Sequence, residues 1–238
     1  MSESSSLYVS VIVPCFNEAG NIMPLIAEIH NELFFVQHQI VVVDDNSPDG
    51  TYEIVKNANL DFVKPILRTS DASLAKSIRS GLEEADGNLF IVMDSDFNHQ
   101  PKYLPFMVKS SEYYDCVTAS RFMYGGAMGS RWRQVLSWIF NVFVRIVTRK
   151  FVTDSLYGYF AIKRDIIEKI EYNHVFWGYG DYYIRLMYYL QENRESILQF
   201  PAVNGKRLSG EANGSLIKVF WQYMRETLRL VFGKKEER

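Results

Sequence analysis

Three short apolar runs constrain this chain more than any other feature: Val9-Ser10-Val11-Ile12-Val13, Ile40-Val41-Val42-Val43 and Leu89-Phe90-Ile91-Val92-Met93. Each is rich in β-branched residues and carries apolar side chains at successive positions, so both faces of the strand it forms need cover. Between them lie segments of helical spacing, such as Ile22, Leu25, Ile26 and Ile29. The pattern predicts strands over 7–14, 39–44, 62–67 and 89–93, with helices over 21–35, 51–58 and 73–85. A further strand is expected over 115–120. Strands alternating with helices define an α/β architecture with a mostly parallel central sheet sandwiched between helical layers.

In such sheets ligands bind outside the carboxyl ends of the strands. Three of those ends are polar: Pro14-Cys15-Phe16-Asn17-Glu18, Asp44-Asp45-Asn46-Ser47-Pro48-Asp49-Gly50 and Asp94-Ser95-Asp96. The second also reads as an ordinary turn and helix start, because Asn, Ser, Pro, Asp and Gly all favour turns. Three polar ends on one sheet nevertheless converge on one edge. Asp94 and Asp96, followed by Asn98 and His99, suit a hard divalent cation that prefers oxygen ligands, Mg2+ or Mn2+. Zinc does not fit, since the two cysteines and four histidines form no tetrahedral spacing.

Composition removes several alternatives. At 238 residues and 47% hydrophobic content the chain can bury a full core, and its formal net charge of -2 argues against a nucleic-acid partner bound through phosphate neutralisation. Cys15 and Cys116 each lie within an apolar stretch, and the opening Met-Ser-Glu-Ser-Ser-Ser lacks the regions of a signal peptide, so a cytoplasmic setting is expected. The longest apolar stretch, 135–147, is ended by Arg145 and Arg149 and falls short of a membrane span.

That stretch carries Trp138, Phe140 and Phe143, and a second one over 215–232 mixes Phe220, Tyr223, Leu228 and Val231 with Lys218, Arg225 and Arg229. Amphipathic helices with aromatic and basic residues read as elements lying in a membrane interface. For the first, a buried helix whose arginines complement its C-terminal dipole is the competing reading. The chain therefore divides into a main domain over 1–212 and a C-terminal amphipathic helix with a basic tail over 213–238.

The strand-end motifs, in their order and spacing, resemble the signatures of family 2 glycosyltransferases of GT-A fold. Ser47-Pro48-Asp49-Gly50-Thr51, Met93-Asp94-Ser95-Asp96-Phe97-Asn98-His99-Gln100-Pro101, Ala119-Ser120-Arg121-Phe122 and Gly158-Tyr159-Phe160-Ala161 are most similar to stretches of dolichol-phosphate mannosyltransferases and related polyprenyl-phosphate enzymes. The likeness spans about residues 8–212. It implies an inverting transfer of a hexose from a nucleotide sugar, GDP-mannose or a UDP-sugar, to a polyprenyl phosphate or other lipid-linked acceptor. The setting would be the cytoplasmic membrane face, with peripheral contact and a homo-oligomeric or membrane-protein partner as options.

Position by position, the resemblance implies that Pro14 and Glu18 line the nucleotide pocket and that Asp45 contacts base or ribose. Asp94 and Asp96, with Asn98, would hold the metal, and Ser95 would sit against the donor. Arg121 and Arg133 match phosphate-contacting residues, a role suited to guanidinium forks; rim solvation or a lipid headgroup is their other reading. Lys206 and Arg207 fall in the acceptor-side loop, where Asn213 replaces a lysine of the relatives. Asp154 would serve either as general base for a hydroxyl acceptor or as an organiser of its loop. Asp181 would either cap the helix it opens or act as a base, with the cap favoured. A sugar-hydroxyl acceptor and a non-catalytic nucleotide-sugar-binding subunit are the competing functions.

Overall fold

The computed structural model describes residues 6–205 and 216–233. Seven strands form one sheet: β1 (Tyr8–Cys15), β2 (Gln37–Asp44), β3 (Val63–Leu67), β4 (Leu89–Val92), β5 (Cys116–Ser120), β6 (Phe160–Lys163) and β7 (Ile197–Pro201). Their order is β3-β2-β1-β4-β6-β5-β7, and only β6 runs antiparallel to its neighbours. The sheet is thus the mostly parallel one the apolar runs predict. Strands β1 to β5 lie within two residues of the expected bounds, while no sequence expectation covers β6 or β7.

The period-two alternation of a strand explains why the runs are apolar throughout. Val11, Val13, Ile40 and Val42 face one layer of helices, α1 (Ile22–Glu32), α2 (Thr51–Ala58) and α4 (Leu104–Ser110), in a core with Leu25, Ile29 and Leu104. Ile12, Val41 and Val43 face the other, α3 (Leu74–Glu84), α6 (Arg164–Ile167), α7 (Tyr172–Val175) and α8 (Tyr182–Glu192). A smaller cluster of Phe140, Val144, Ile184 and Tyr223 joins α5 (Arg131–Thr148), α8 and α9 (Leu216–Phe232).

Pro14 sits in a central strand without costing a ladder bond. The Met93 N–H donates to the Ile12 carbonyl at 3.1 Å, so that side of β1 faces β4. Two residues on, the Pro14 nitrogen points the same way, beyond the last pair of that ladder, Ile12 with Val92.

The helix α3 lies so close to the sheet that a Cβ at Gly81 would stand 2.5 Å from Ile12 Cγ2 and 3.1 Å from Val43 Cγ2. Gly81→Ala is expected to destabilise the fold by about 1–3 kcal/mol through overpacking, despite the better helix propensity of alanine. Thermal melting of the variant checks this, and an unchanged midpoint would contradict the packing.

Candidate active site

The loops after β1 and β2 are clamped together by side chains that accept backbone N–H groups. Asp44 accepts from Ser47 N at 2.7 Å, and the Ser47 hydroxyl then accepts from Asn17 N at 2.9 Å. Asp49 accepts from Ala19 N and Thr51 N, each at 3.0 Å, while Thr51 Oγ1 accepts from Glu18 N at 2.9 Å. Asn17 and Asn46 adopt left-handed φ of 60° and 61°, a region asparagine tolerates better than most residues. The Asp-Asn-Ser-Pro-Asp-Gly segment is therefore both the turn and a wall of the cleft. Glu18 stands on this wall and accepts from the Asn21 carboxamide.

Asp45, 9% exposed, is held by the Arg68 guanidinium on one oxygen and by Ser73 N at 2.8 Å on the other. Arg68 also donates to Ser77 Oγ at 2.9 Å, and the Ser73 hydroxyl donates to the Gly178 carbonyl. The loop over 68–73 is thereby drawn across the end of β2. Sequence reasoning missed Arg68, although a lone arginine one residue beyond a strand, level with an acid on the next strand, was a readable signal.

After β4 the acids separate in character. Asp94 is 45% exposed, whereas Asp96 is 3% exposed and accepts from Asn98 N at 3.0 Å and Asn98 Nδ2 at 2.8 Å. Asn98 directs its amide nitrogen at Asp96 and so orients that carboxylate. Ser95 is buried beside it. Phe97, with φ of 64°, turns the loop so that His99 comes back underneath, where its Nδ1 accepts from Asp94 N at 2.9 Å. Burial pushes His99 down to about 3, with Arg121 adding to the shift and Asp96 opposing it. The ring is therefore neutral, with its proton on Nε2.

Arg121, just past β5, is 7% exposed and bound to Asp154 through three bonds: its N–H at 3.0 Å and Nε at 2.8 Å to Oδ2, and Nη2 at 3.0 Å to Oδ1. Leu156 N adds a fourth bond to Asp154 at 3.2 Å. Burial would lower Arg121, but the Asp154 charge overrides it and holds the guanidinium above its usual value. Arg121 lines a cavity of about 320 Å3 with Phe122, Met123, Gly126, Gln134, Val135 and Trp138. Arg133 is exposed in the first turn of α5 and is not among those lining residues. Lys206 and Arg207 lie outside the described residues.

Asp181 corrects the favoured reading. It occupies the N-cap position of α8 but makes no capping bond; it accepts from Tyr179 N at 2.9 Å and pairs with Arg185 one turn on. Arg185, 4% exposed, also donates to the carbonyls of Val175, at 2.9 Å, and Trp177. A buried guanidinium needs its counter-charge more than the helix needs a cap.

Among the described residues no three His, Cys, Asp or Glu side chains come together to hold a metal unaided. Two carboxylates still fit a hard cation, since Mg2+ is commonly held by one or two of them together with water and substrate phosphates.

The sheet, its polar strand ends and the acids after β4 define the GT-A class of glycosyltransferase folds. The chain belongs to glycosyl transferase family 2, whose model matches residues 10–171. A dolichol-phosphate mannosyltransferase of Pyrococcus furiosus is 30% identical over 230 residues, 94% of this chain and 63% of that protein. The chain thus spans under two thirds of that relative. Enzymes of the same name from Saccharomyces cerevisiae and Mycosarcoma maydis are each 27% identical, over 96% and 98% of this chain and 90% and 83% of theirs. Glucosyl-3-phosphoglycerate synthase from Mycobacterium tuberculosis, solved with Mn2+ and UDP-glucose, superposes with a TM-score of 0.71 at 18% identity, covering 97% of this chain and 81% of that one. The same synthase with Mg2+ and UDP gives 0.68 at 18% identity, with coverage of 97% and 81%.

The clamp carries a pH signature. Burial would raise the Asp49 carboxyl, but hydrogen bonds from Thr51 and Ala19 outweigh it and hold it below its ordinary value. A depressed folded pKa contributes stability above the ordinary carboxyl range near about pH 4 and loses it as pH falls further. Asp49→Asn is expected to melt below the wild type at neutral pH, with the gap closing on acidification through about pH 4. Melting curves from pH 7 downward check both.

Proposed function

We propose that this family 2 enzyme transfers a hexose from a nucleotide sugar to a polyprenyl phosphate at a membrane face, with Mg2+ or Mn2+ and with inversion at the sugar. One observation carries the choice of acceptor. Both acids that the sequence offers as general bases are buried and ion-paired: Asp154 is 0% exposed in its bonds with Arg121, and Asp181 is 1% exposed beside Arg185. A sugar hydroxyl needs a base to take its proton. A phosphate monoester, with a second pKa near about 6, is already an anion and attacks unaided.

Asp154 uses two of the five guanidinium N–H groups of Arg121. The others are available to an acceptor phosphate entering the cavity beside Trp138 and Val135. In the transfer a phosphate oxygen forms the bond to the sugar C1 as the bond from C1 to the donor pyrophosphate breaks, and the nucleoside diphosphate leaves. Asp94 and Asp96, the latter oriented by Asn98, would hold the cation, while Glu18, Pro14 and the Asp45 wall would enclose the nucleotide. A cation held there would supply positive charge against that growing on the leaving group. The names of the mannosyltransferase relatives support this acceptor class, and the synthase structures holding Mn2+ or Mg2+ support the cation.

Membrane contact rests on α5 and α9. No helix among the described residues is long and apolar enough to cross a bilayer. On α5, however, Trp132, Leu136, Ile139 and Ile146 are exposed and recur on one face, with Arg131, Arg133 and Arg145 alongside. Trp221, Leu228 and Phe232 of α9 are exposed too, flanked by Arg225 and Arg229. Apolar faces edged by arginine suit the interface of an anionic bilayer.

Incubated with radiolabelled GDP-mannose or UDP-hexose and a polyprenyl phosphate, the purified chain is expected to place label in a mild-acid-labile lipid, and EDTA is expected to stop it. Asp94→Asn should lower turnover on the order of a hundredfold. Asp154→Asn should weaken acceptor use through Arg121 yet leave the shape of the pH–rate profile intact. Loss of its ascending limb would instead make Asp154 a base and the acceptor a hydroxyl.

Flotation with anionic liposomes is expected to carry the wild type upward and to leave Trp132→Ser/Ile139→Ser behind. Equal flotation would remove α5 from the contact.

A further inference from the structure

We propose that Tyr157 is a positioning residue that joins the acid loop after β4 to Arg121, so that the cation site and the acceptor-phosphate site move as one body. The proposal rests on the function inferred above. Tyr157 belongs to no strand or helix and is 4% exposed. Three separate contacts meet on it. Its hydroxyl donates to the Asn98 carbonyl at 3.0 Å. The Arg121 guanidinium carbon lies 4.6 Å from the centre of its ring. The edge-on ring of His99 lies 4.6 Å away at 84°, and a hydrogen bond links His99 to the Tyr157 backbone.

Tyr159 makes a neighbouring link to the acid loop, its hydroxyl donating to the Gln100 carbonyl at 3.0 Å and its ring stacking on His99 at 4.7 Å. Asp154 fixes Arg121 from one side, within the β5–β6 region. His99 fixes Asp94 from beneath, within the β4 loop. Tyr157 touches Arg121 and the acid loop both, because Gly158, with φ of 55°, reverses the chain between the Asp154 turn and β6 and leaves Tyr157 facing the acid loop. A β-carbon at Gly158 would stand 2.9 Å from the Tyr182 hydroxyl, which closes the space on the other side of the turn.

The Asn98 carbonyl is a branch point. It also accepts from Gly205 N at 3.0 Å, and Gly205 passes so near the loop that a side chain there would meet the Phe97 carbonyl at 1.9 Å. Removing the Tyr157 hydroxyl therefore loosens the acid loop without leaving that carbonyl wholly unpaired. Removing the ring as well withdraws the face against which Arg121 rests. The two losses are separable: the hydroxyl bears on the cation, the ring on the acceptor.

The experiment compares Tyr157→Phe and Tyr157→Leu with wild type on two readouts: Mn2+ affinity in the presence of nucleoside diphosphate, by electron paramagnetic resonance, and KM for polyprenyl phosphate. Tyr157→Phe is expected to weaken Mn2+ binding about three- to tenfold and leave acceptor KM within about twofold. Tyr157→Leu is expected to weaken Mn2+ equally and in addition raise acceptor KM about fivefold or more. Parallel loss of Mn2+ affinity and acceptor KM in both variants, or no change in either, overturns the positioning role. Melting curves within a few degrees of wild type are required, and if Tyr157→Leu falls outside that window, Tyr157→Phe alone decides through its Mn2+ affinity. A wild type that binds no Mn2+ refutes the functional reading itself, a result separate from either variant's behaviour.

Discussion

The ion pair of Arg121 and Asp154 is the interaction around which the site is arranged. Taking both charges out of water costs several kcal/mol per ion, on the order that only good geometry and further hydrogen bonds recover. The fold supplies both: two side-chain bonds between the partners, and the backbone N–H groups of Arg121 and Leu156 on the carboxylate. The pair fastens the end of β5 to the turn before β6, two segments 33 residues apart in the chain. It also bears on the proposed chemistry, because it commits Asp154 to the guanidinium while Arg121 lines the cavity.

Acids at the strand ends divide into those that hold the cleft and those that work in it. Asp44 and Asp49 spend their oxygens on the N–H groups of the β1 and β2 loops, and Asp45 on Arg68 and Ser73. Such bonds fix the loops at the carboxyl ends of β1 and β2. Asp96 is oriented by Asn98, and Asp94 keeps nearly half its side-chain surface in solvent. The gradient from fully spent to exposed carboxylates marks where a cation has room.

Strands β1, β2 and β4 were legible in the sequence because burial on both faces leaves a nearly continuous apolar run, whereas the edge strand β3 is only half-buried and was read from its β-branched and apolar residues around Val63 and Ile66. Strand β6 was not, since Phe160–Lys163 is four residues long and its place between β4 and β5 is a long-range pairing with no local pattern. Ile197–Pro201 escaped for the same reason at the sheet's edge. Among candidate site residues, residue type and spacing pointed to Asp94 and Asp96, and the family resemblance to Arg121. Partners were harder: Arg68 on Asp45 and Tyr157 on Arg121 are tertiary contacts. The Asp181–Arg185 pair was readable, because acid and base stand one helical turn apart, yet a cap offered a simpler local account.

Helix α5 shows how one short amphipathic element serves three surfaces. Phe140, Asn141, Val144 and Thr148 face the protein, where the Asn141 side-chain oxygen Oδ1 accepts from Ser155 N at 2.7 Å and thereby braces the Asp154 turn. Gln134, Val135 and Trp138 line the cavity beside Arg121. Trp132, Leu136 and Ile139 point outward. At 3.6 residues per turn these sets occupy different sectors of the helix, so on the proposed reading the lipid-facing sector adjoins the one that lines the cavity. Residue 141 then ties the helix to the turn that carries Asp154, and through it to Arg121. On the proposed reading, the lipid-facing surface and the phosphate-facing guanidinium are linked through one helix and one turn.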